Sequence, residues 1–379
     1  MTNKDKALFE ILRISLWGGK LTDTIDAESI IDELTIQAVE GIAATTIPNL
    51  KGELDYRLSR FVRMLYVQNE VVSALSNAGI RVVVLKGTAA GIYYPIPYLR
   101  RYGDIDLLVH SHDYNKSIKV ISDLNDVVNS NIGDEVSDFR INGFSIDLHR
   151  IIRGTERAKE GTYILKYIME GLDDIQWVKF DQPDFKFPIL PWKQNGLELI
   201  WHIRVHLYNG LGLRQIIDWM LFVNHNYADE ESFEDFLVVL NKAGLLRLAK
   251  VVTRMCQIYL GLNESINWCS DVEAGLCEEL MQYIIEQGNF GYKNNRDKMA
   301  KLLTKYRNPV SIFYGMQNKG LREWRLVNKY KFLRSFAWAY ILLKGVPRYF
   351  NRSGFLLMHK NLEEKRKRIE LFDQLYEEK

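Results

Sequence analysis

The spacing of hydrophobic residues divides the chain into three regions. In residues 1–79, Leu8, Leu12 and Leu16 recur at an interval that places side chains on one face of a helix. The same spacing continues at Leu58, Phe61, Val62, Leu65, Val72 and Leu75. Residues 1–79 are therefore predicted to be helical.

Short hydrophobic runs replace this spacing between residues 80 and 150. The run "IRVVVLKG" predicts a strand that ends at Gly87, and "DIDLLVH" predicts a second strand. A short helix is expected over Thr88–Tyr94 and another from about His112 to Leu124, with Ser111 as its N-cap. The dipeptide Asn142-Gly143 predicts a hairpin turn within "EVSDFRINGFSIDLHR". Together these elements predict a small α/β unit with a mixed sheet.

A second hairpin-like stretch closes the sheet region near Pro191, and the pattern after Gln194 is helical. The predicted fold class is therefore α+β, with a small mixed-sheet core between an N-terminal helical segment and a C-terminal all-helical domain. The expected boundaries are 1–79, 80–191 and 192–379, and the last domain ends in a basic tail.

The composition is that of an ordinary globular protein, with 47% hydrophobic and 26% charged residues, and it excludes a disordered chain. The net charge is only +2, but residues 319–379 carry 15 Lys and Arg against 7 Asp and Glu. Such a basic region predicts contact with an anionic partner or surface. Basic residues spaced along a helix are equally typical of a solvated face.

The cysteines Cys256, Cys269 and Cys277 are too few for a disulfide framework or a zinc cluster, and they fit a reducing compartment. The first residues have no continuous apolar run of signal-peptide type. The longest apolar run near the C-terminus, "FAWAYILL", is far shorter than a membrane span. A cytoplasmic protein without a transmembrane segment is expected.

The candidate chemistry begins with two aspartates at alternate positions of the second strand. Asp104 and Asp106 share one face, because side chains alternate along a strand. Carboxylates held this close repel each other unless a cation lies between them. The hairpin adds a third, since Ser145, Asp147 and His149 share the polar face of "GFSIDLHR". If this strand lies beside the second strand, the three carboxylates converge.

Converging carboxylates predict a site for divalent cations, Mg²⁺ with Mn²⁺ as the alternative, that hold a triphosphate for in-line displacement. Gly87 and Thr88 lie upstream, where the first strand ends. Glycine lets the backbone approach phosphate oxygens, and the following helix would present its N-terminus to them. The pattern indicates metal-dependent phosphate chemistry.

With these residues in place, the chain resembles the nucleotidyltransferase superfamily with the polymerase-β-like fold, and more narrowly the bacterial family of uncharacterised nucleotidyltransferases. The resemblance rests on "LKGTAAGIYYPIPYLRRYGDIDLLV" followed by "IDLHR". It implies that Asp104 and Asp106 bind the catalytic Mg²⁺ ions and the triphosphate. It also implies that Asp147 shares a metal and acts as, or assists, the general base. Thr88 stands where the superfamily has a second Gly or a Ser.

The candidate nucleotide-binding residues near this motif are Lys86, Gly87, Thr88, Arg100, Gly103 and His149. The Arg100 guanidinium would hold phosphate in bidentate fashion, and Lys86 would do so as a point charge. For both residues the alternative is an ion pair with the aspartate cluster. His149 would orient Asp147 or contact substrate, or be a structural histidine.

The helical region offers weaker candidates. His202 and His206 have the spacing of half a zinc motif, but "HIRVH" contains no Glu, which excludes the metalloprotease motif. His206, Arg214 and Asp218 are instead candidates for lining the nucleotide pocket. Arg214 and Asp218 are equally an ordinary pair one turn apart on a helix.

The predicted function is transfer of a nucleoside monophosphate from an NTP to an acceptor hydroxyl, with release of pyrophosphate. The acceptor is left open among a small molecule, a protein and RNA. The alternative is a catalytically inactive nucleotide-binding protein of the same fold, acting as a partner or an antitoxin-like protein. A metal-dependent phosphohydrolase would share the carboxylates but not the Gly-Thr turn.

The basic segment 321–345 predicts one helix. Its apolar side would hold Trp324, Val327, Phe332, Phe336 and Tyr340. This helix would either pack on the preceding helices or lie on an anionic surface.

Overall fold

The computed structural model describes residues 1–21, 26–181, 184–208, 210–293, 309–324, 326–345 and 366–376. Helices surround one mixed sheet in this part of the chain, so the predicted α+β class is confirmed.

Helices fill most of the described chain before the sheet, as the hydrophobic spacing predicted. They are α1 (Asn3–Trp17), α2 (Ile31–Ile36), α3 (Glu40–Ala43) and α4 (Gly52–Asn77). A capping box starts α1: the Asp5 backbone N–H donates to the Thr2 hydroxyl, and the Thr2 backbone N–H donates to the Asp5 carboxylate.

The sheet contains seven strands within the described residues, in the order β3-β4-β5-β2-β1-β7-β6. The strands are β1 (Val82–Leu85), β2 (Ile105–Val109), β3 (Val127–Asn131), β4 (Val136–Ile141), β5 (Phe144–His149), β6 (Gln176–Lys179) and β7 (Lys186–Ile189). β2 is antiparallel to β1 and parallel to β5, so the two aspartate-bearing strands are neighbours.

Sequence patterns located all of these strands except β3, an edge strand whose Val128 is 72% exposed. The hairpin turn is confirmed, because Asn142 and Gly143 both have positive φ. The short helix after β1 is α5 (Gly87–Gly91). The predicted cap was wrong: α6 (Tyr114–Ser122) follows Asp113 without a side-chain cap, and the Ser111 hydroxyl donates to the Arg150 carbonyl.

Each face of the sheet packs in a different hydrophobic core. On one face, Val84 and Leu107 pack in a core that includes residues of α4 and α6. On the other, Leu85 and Leu108 join a core built by the helices that follow the sheet. Asp106 lies on this second face, because it stands between Ile105 and Leu107 on the strand.

The helices in and after the sheet region supply most of the second core. They are α7 (Gly161–Glu170), α8 (Trp192–Leu207), α9 (Leu213–Asn226), α10 (Glu230–Lys242), α11 (Leu246–Leu260) and α12 (Ala274–Gln287). Residues of α1 belong to the same core, and the Trp17 indole N–H donates to the Leu260 carbonyl over 2.7 Å. The N-terminal segment is thus divided between the cores, with α1 on the helical region and α4 on the sheet.

The described part of the basic tail differs from the single helix predicted for 321–345. Here α13 (Pro309–Glu323), α14 (Leu326–Lys329) and α15 (Ala337–Gly345) are separate, and a 3₁₀ segment covers Lys331–Phe336. Because Val327 is buried while Phe332 is 70% exposed, the expected apolar side is not one face. Arg325, one of the basic residues of segment 321–345, lies outside the described residues.

Helix α16 (residues 366–376) packs against the second core. Its buried residues include Leu371, Phe372 and Leu375. The Phe372 ring lies 4.9 Å from that of Tyr208 and 5.5 Å from that of Tyr283. Among the described residues, no helix combines the length and the hydropathy that crossing a membrane requires.

Candidate active site

Neighbouring strands bring the predicted carboxylates together. In the parallel pair of β2 and β5, Asp106 stands opposite Asp147, and Leu108 stands opposite His149. On the far side of β5, Asp147 also stands opposite Asp138 of β4. Asp104 directly precedes β2. The predicted proximity of Asp106 and Asp147 therefore follows from the pairing of β2 with β5.

A cavity of about 590 Å³ opens over this part of the sheet. Its lining residues are Gly103, Asp104, Ser130, Asn131, Asp138, Phe139, Arg140, Ser145, Asp147, Arg214 and Phe290. The sheet strands β3, β4 and β5 form its floor, while α9 and the loop after α12 contribute Arg214 and Phe290. Acidic and aromatic side chains thus share one concave surface.

Asp106 is the buried member of the cluster, with 6% of its surface exposed. Its Oδ1 lies 3.2 Å from the Lys86 Nζ and 2.9 Å from the His149 Nε2. Burial acts to raise the pKa of Asp106, but the Lys86 ammonium and the His149 hydrogen bond hold that pKa well below its ordinary range. Asp106 is therefore a carboxylate at every physiological pH.

His149 is nearly fully buried beside Asp106. Burial lowers the pKa of His149, against the opposing effect of the Asp106 carboxylate, so the ring is neutral near pH 7. A neutral ring that donates from Nε2 fixes the orientation of Asp106.

Asp147 has the opposite electrostatic environment. Burial, followed by the nearby Asp106 and Asp104 carboxylates, raises the pKa of Asp147 to about 7. Arg153 opposes this shift from 3.6 Å, but its own side chain is mostly exposed. Two adjacent carboxylates therefore differ: one is firmly charged, and the other titrates near neutral pH.

The donor set fits a divalent cation. Asp106, Asp147 and His149 each offer one ligand atom, and these atoms lie within 4.8 Å of one another. Carboxylate oxygens are the ligands that Mg²⁺ and Mn²⁺ prefer. Asp104 lies outside this group but lines the same cavity, so its predicted metal role stays a prediction.

Helix α8 places a second set of titratable side chains near Lys86. Glu198, His202 and His206 follow one another at four-residue intervals, so they share one face of the helix. Burial, reinforced by Asp106 and opposed by Lys86, raises the pKa of Glu198 to about 7. Burial likewise lowers the pKa of His202 and His206, that of His206 to about 4. Both rings are neutral at pH 7.

The expected phosphate turn has a different local structure. Lys86 pairs with Asp106, which was the alternative considered for it, and its backbone has φ +47°. Thr88 is buried, and its hydroxyl donates to the Gln68 Oε1 of α4 over 2.7 Å. The hydroxyl of this candidate nucleotide-binding residue is thus engaged within the protein, and the helix that begins at Gly87 has only five residues.

Arg100 forms a buried ion pair on the helical side. Its Nε donates to Asp218 Oδ1 over 2.8 Å, and a terminal nitrogen donates to Oδ2 over 2.7 Å. The Tyr94 hydroxyl donates to the same carboxylate. Arg100 therefore pairs with Asp218 and with neither of its two predicted partners, phosphate and the aspartate cluster. This ion pair does not support phosphate contact by Arg100.

Asp218 binds Arg100. Burial lowers the pKa of Arg214, while the Asp218 charge one helical turn away acts to raise it, so the interpretation of Arg214 and Asp218 as a helix pair stays open. Arg214 donates to the Arg101 carbonyl over 2.9 Å and lines the cavity. Its Nε is buried without a hydrogen-bond partner among the described residues. Of the weaker candidates, Arg214 is the one that reaches the cavity.

Asp138, Glu198 and Phe290 are among the residues near the site that were not predicted from the sequence. Asp138 follows from the register of the hairpin, since it lies opposite Asp147 once Asn142-Gly143 is the turn. A signal for Glu198 exists in "NGLELIWHIRVH", where the acid stands one helical turn before His202. The only sequence signal for Phe290 is its position in "QGNFGYK", and glycines beside an aromatic residue do not indicate a cavity.

A comparison with protein families shows which family the chain belongs to. The model of the family described as "Uncharacterised nucleotidyltransferase" matches residues 33–261, which include the sheet, the carboxylates and helices α8 to α11. The chain belongs to this family of nucleotidyltransferases. No curated protein matches the chain significantly.

Proposed function

We propose that this protein transfers a nucleoside monophosphate from an NTP to an acceptor hydroxyl. One observation carries the proposal: Asp106 and Asp147 lie side by side on parallel strands beside a cavity that Asp104 also lines. Membership of the nucleotidyltransferase family supports the same reaction class. The proposed site residues are those predicted from the sequence, except that Thr88 binds Gln68 and Arg100 binds Asp218, so neither is assigned to phosphate.

Asp106 and Asp147 would hold the cation, Mg²⁺ or Mn²⁺, and Asp104 would complete the acidic side of the site. Bound there, a divalent cation neutralises the phosphate charge and orients the triphosphate. His149 keeps the Asp106 carboxylate in place by its hydrogen bond. Asp106 contributes a constant negative charge because its pKa is low.

Asp147 is suited to accept the proton of the acceptor hydroxyl. Without a cation, burial and its acidic neighbours raise the pKa of Asp147 to about 7. A cation bound by Asp147 would lower that pKa and keep the group a carboxylate, the form that can accept a proton. The acceptor oxygen forms a bond to the α-phosphorus, the bond from that phosphorus to the bridging oxygen breaks, and pyrophosphate leaves. The hydroxyl proton goes to Asp147.

Lys86 and the glycines beside it would serve the phosphates. Without nucleotide, the Lys86 ammonium neutralises Asp106. A cation held by Asp106 would compensate the same charge, and Lys86 would then be available to the triphosphate, as would the backbone of Gly87 and Gly103. Arg100 would act by holding the loop before β2 onto α9.

The experiment is incubation of the purified protein with each α-labelled NTP, with Mg²⁺ or Mn²⁺, and with a cell lysate. Label transferred to an acceptor supports the proposal, and its size and nuclease or protease sensitivity separate RNA, protein and small-molecule acceptors. Free NMP would indicate a phosphohydrolase, and binding without any product would indicate the inactive nucleotide-binding alternative. Asp106→Asn is the matched control in every reaction.

Cytoplasmic location and anionic contact through the basic tail remain part of the proposal. Fractionation of cells that express the protein tests the first. Binding of the purified protein to anionic and neutral vesicles tests the second.

A further inference from the structure

Phe290 is an exposed aromatic residue in the cavity that holds Asp104 and Asp147. It is 57% exposed and lines the cavity with Arg214, away from the strands that bear the carboxylates. Single exposed apolar side chains are common, so it is the position of Phe290 in the cavity, and not its exposure alone, that singles it out. The cavity has the volume of a small-molecule site.

The backbone of Phe290 is strained. Its φ is +54° and its ψ +23°, a left-handed conformation that is uncommon for a bulky residue. Gly288 and Gly291 beside it also have positive φ. Strain of this kind persists where the surrounding structure fixes it, and it is concentrated in ligand-binding sites.

The surrounding structure does fix this loop. A Cβ on Gly210 would collide with the backbone of Gly291, and one on Gly212 would lie 2.8 Å from the Cβ of Asn289. The two loops are therefore in direct backbone contact. The Gln215 side chain of α9 donates to the Asn289 Oδ1 over 3.3 Å. The ring of Phe290 is thus held in place before any ligand arrives.

Two side chains flank the ring. The Arg214 guanidinium lies over it at 5.9 Å from the centroid, and the His206 ring lies 5.3 Å away. The buried Nε of Arg214 has no hydrogen-bond partner among the described residues. With the guanidinium over the ring, the part of Phe290 that stays exposed offers a flat aromatic surface to a heteroaromatic ligand.

We propose that Phe290 stacks against the base of the nucleotide, with Arg214 beside it, while the phosphates lie toward the carboxylates. This inference rests on the proposed function and adds the residue that holds the base. Every base has a flat face, so stacking alone discriminates weakly between bases. ATP, GTP, CTP and UTP are therefore expected to bind within about tenfold of one another, a difference smaller than hydrogen-bonded base recognition produces.

The test compares ligands with and without a base. Calorimetric titration in the presence of Mg²⁺ measures the Kd of ATP and of inorganic tripolyphosphate for the intact protein. Phe290→Gly removes the ring, and glycine adopts the left-handed backbone conformation of this position without strain. Circular dichroism of the variant checks that it is folded. The loss of one stacked base predicts a roughly tenfold weaker Kd for ATP. The Kd of tripolyphosphate should not change.

Two further variants complete the test. Phe290→Trp keeps a stacking surface and should retain ATP affinity. Tyr292→Ala removes a 69% exposed aromatic ring that is not a lining residue, and it should bind both ligands like the parent. An equal loss of ATP and tripolyphosphate affinity in Phe290→Gly, or no loss of either, would overturn the stacking role and leave the proposed function intact. If the parent protein binds neither ligand, both proposals fail together.

Discussion

At the scale of single residues, the site is a pair of adjacent carboxylates with opposite electrostatics. Asp106 is charged because Lys86 and His149 stabilise the charge, whereas Asp147 is poised near neutral pH because nothing equally close offsets its burial. The same substitution should therefore affect the two positions differently.

Asp106→Asn should abolish transfer and also destabilise the protein. Loss of one metal-held contact predicts a rate at least about a hundredfold lower. The Lys86 ammonium would be left with no carboxylate at 3.2 Å, which we expect to cost about 1–3 kcal/mol of unfolding free energy. Single-turnover kinetics and urea denaturation measure the two effects. A variant with more than about a tenth of the parent rate would show that Asp106 is not a metal ligand.

Asp147→Asn should show a pH-dependent gain in stability. A carboxyl group whose folded pKa is raised stabilises the folded protein below its unfolded pKa, near 4, and loses that contribution as pH rises to about 7. Without metal, the melting temperature of the variant should therefore rise relative to the parent between pH 4 and pH 7. Thermal scans with a chelator present test this.

Asp271→Asn is the control with the opposite sign. Burial acts to raise the pKa of Asp271, but Lys250 at 2.8 Å lowers it overall. The parent should therefore gain stability over this variant as pH rises toward 4. If the stability difference from the parent changed with pH in the same direction for both variants, the neighbours of Asp147 would not be what sets its pKa.

The sequence predicted the positions of the carboxylates better than the hydrogen-bond partners of Thr88 and Arg100. Strand alternation and a hairpin turn fix the faces of Asp106 and Asp147, and both signals are local. The partners of Thr88 and Arg100 come from α4 and α9, and their contacts depend on tertiary packing. Arg100 and Asp218 are 118 positions apart in the sequence, so no local pattern could indicate that they form a pair.

At the scale of elements, that buried ion pair fastens the loop before β2 to helix α9. Arg100 and Asp218 are each about 5% exposed or less, and burial of both charges is compensated by two hydrogen bonds. The loop leads directly to Gly103 and Asp104. The pair therefore connects the helical region to the acidic end of β2.

Asp218→Asn should destabilise the protein by about 3–5 kcal/mol, because it leaves the Arg100 guanidinium buried without its counter-charge. The double variant Arg100→Met with Asp218→Leu should recover much of that loss. Urea denaturation measures the unfolding free energy of each. A single variant as stable as the parent would mean that solvent reaches Arg100, and its predicted phosphate contact would regain support.

Helix α8 packs closely against α9 and α10 at a glycine. A Cβ on Gly196 would lie 2.2 Å from the Phe222 ring and 2.7 Å from the Phe236 ring, so Gly196→Ala overpacks the core. We expect a loss of about 1–3 kcal/mol. Gly275→Ala in α12 is the matched control, since nothing lies within 4 Å of its Cβ. It should be neutral or slightly stabilising, and denaturant midpoints of the two variants decide.

At the scale of the whole molecule, helix α16 joins the core that covers one face of the sheet. Phe372 is 1% exposed and lies between Tyr208 and Tyr283. Phe372→Ala should therefore cost about 3–5 kcal/mol of unfolding free energy. Phe332→Ala, at a position 70% exposed in the tail, should change it little. Equal effects in calorimetry would show that α16 does not contribute to the core.

The contact between Trp17 and Leu260 has a consequence for the protein during its synthesis. These two residues are 243 positions apart, so α1 emerges from the ribosome long before α11, although another of its partners, α3, follows soon after it. At roughly 5–20 residues per second, the apolar face of α1 waits about 10 to 50 seconds for α11, and longer for α16. The sheet with α4 has nearer partners and can form earlier. The part of the α1 face that packs on α11 is thus exposed on the nascent chain for that time, and exposed hydrophobic segments are the kind that chaperones bind.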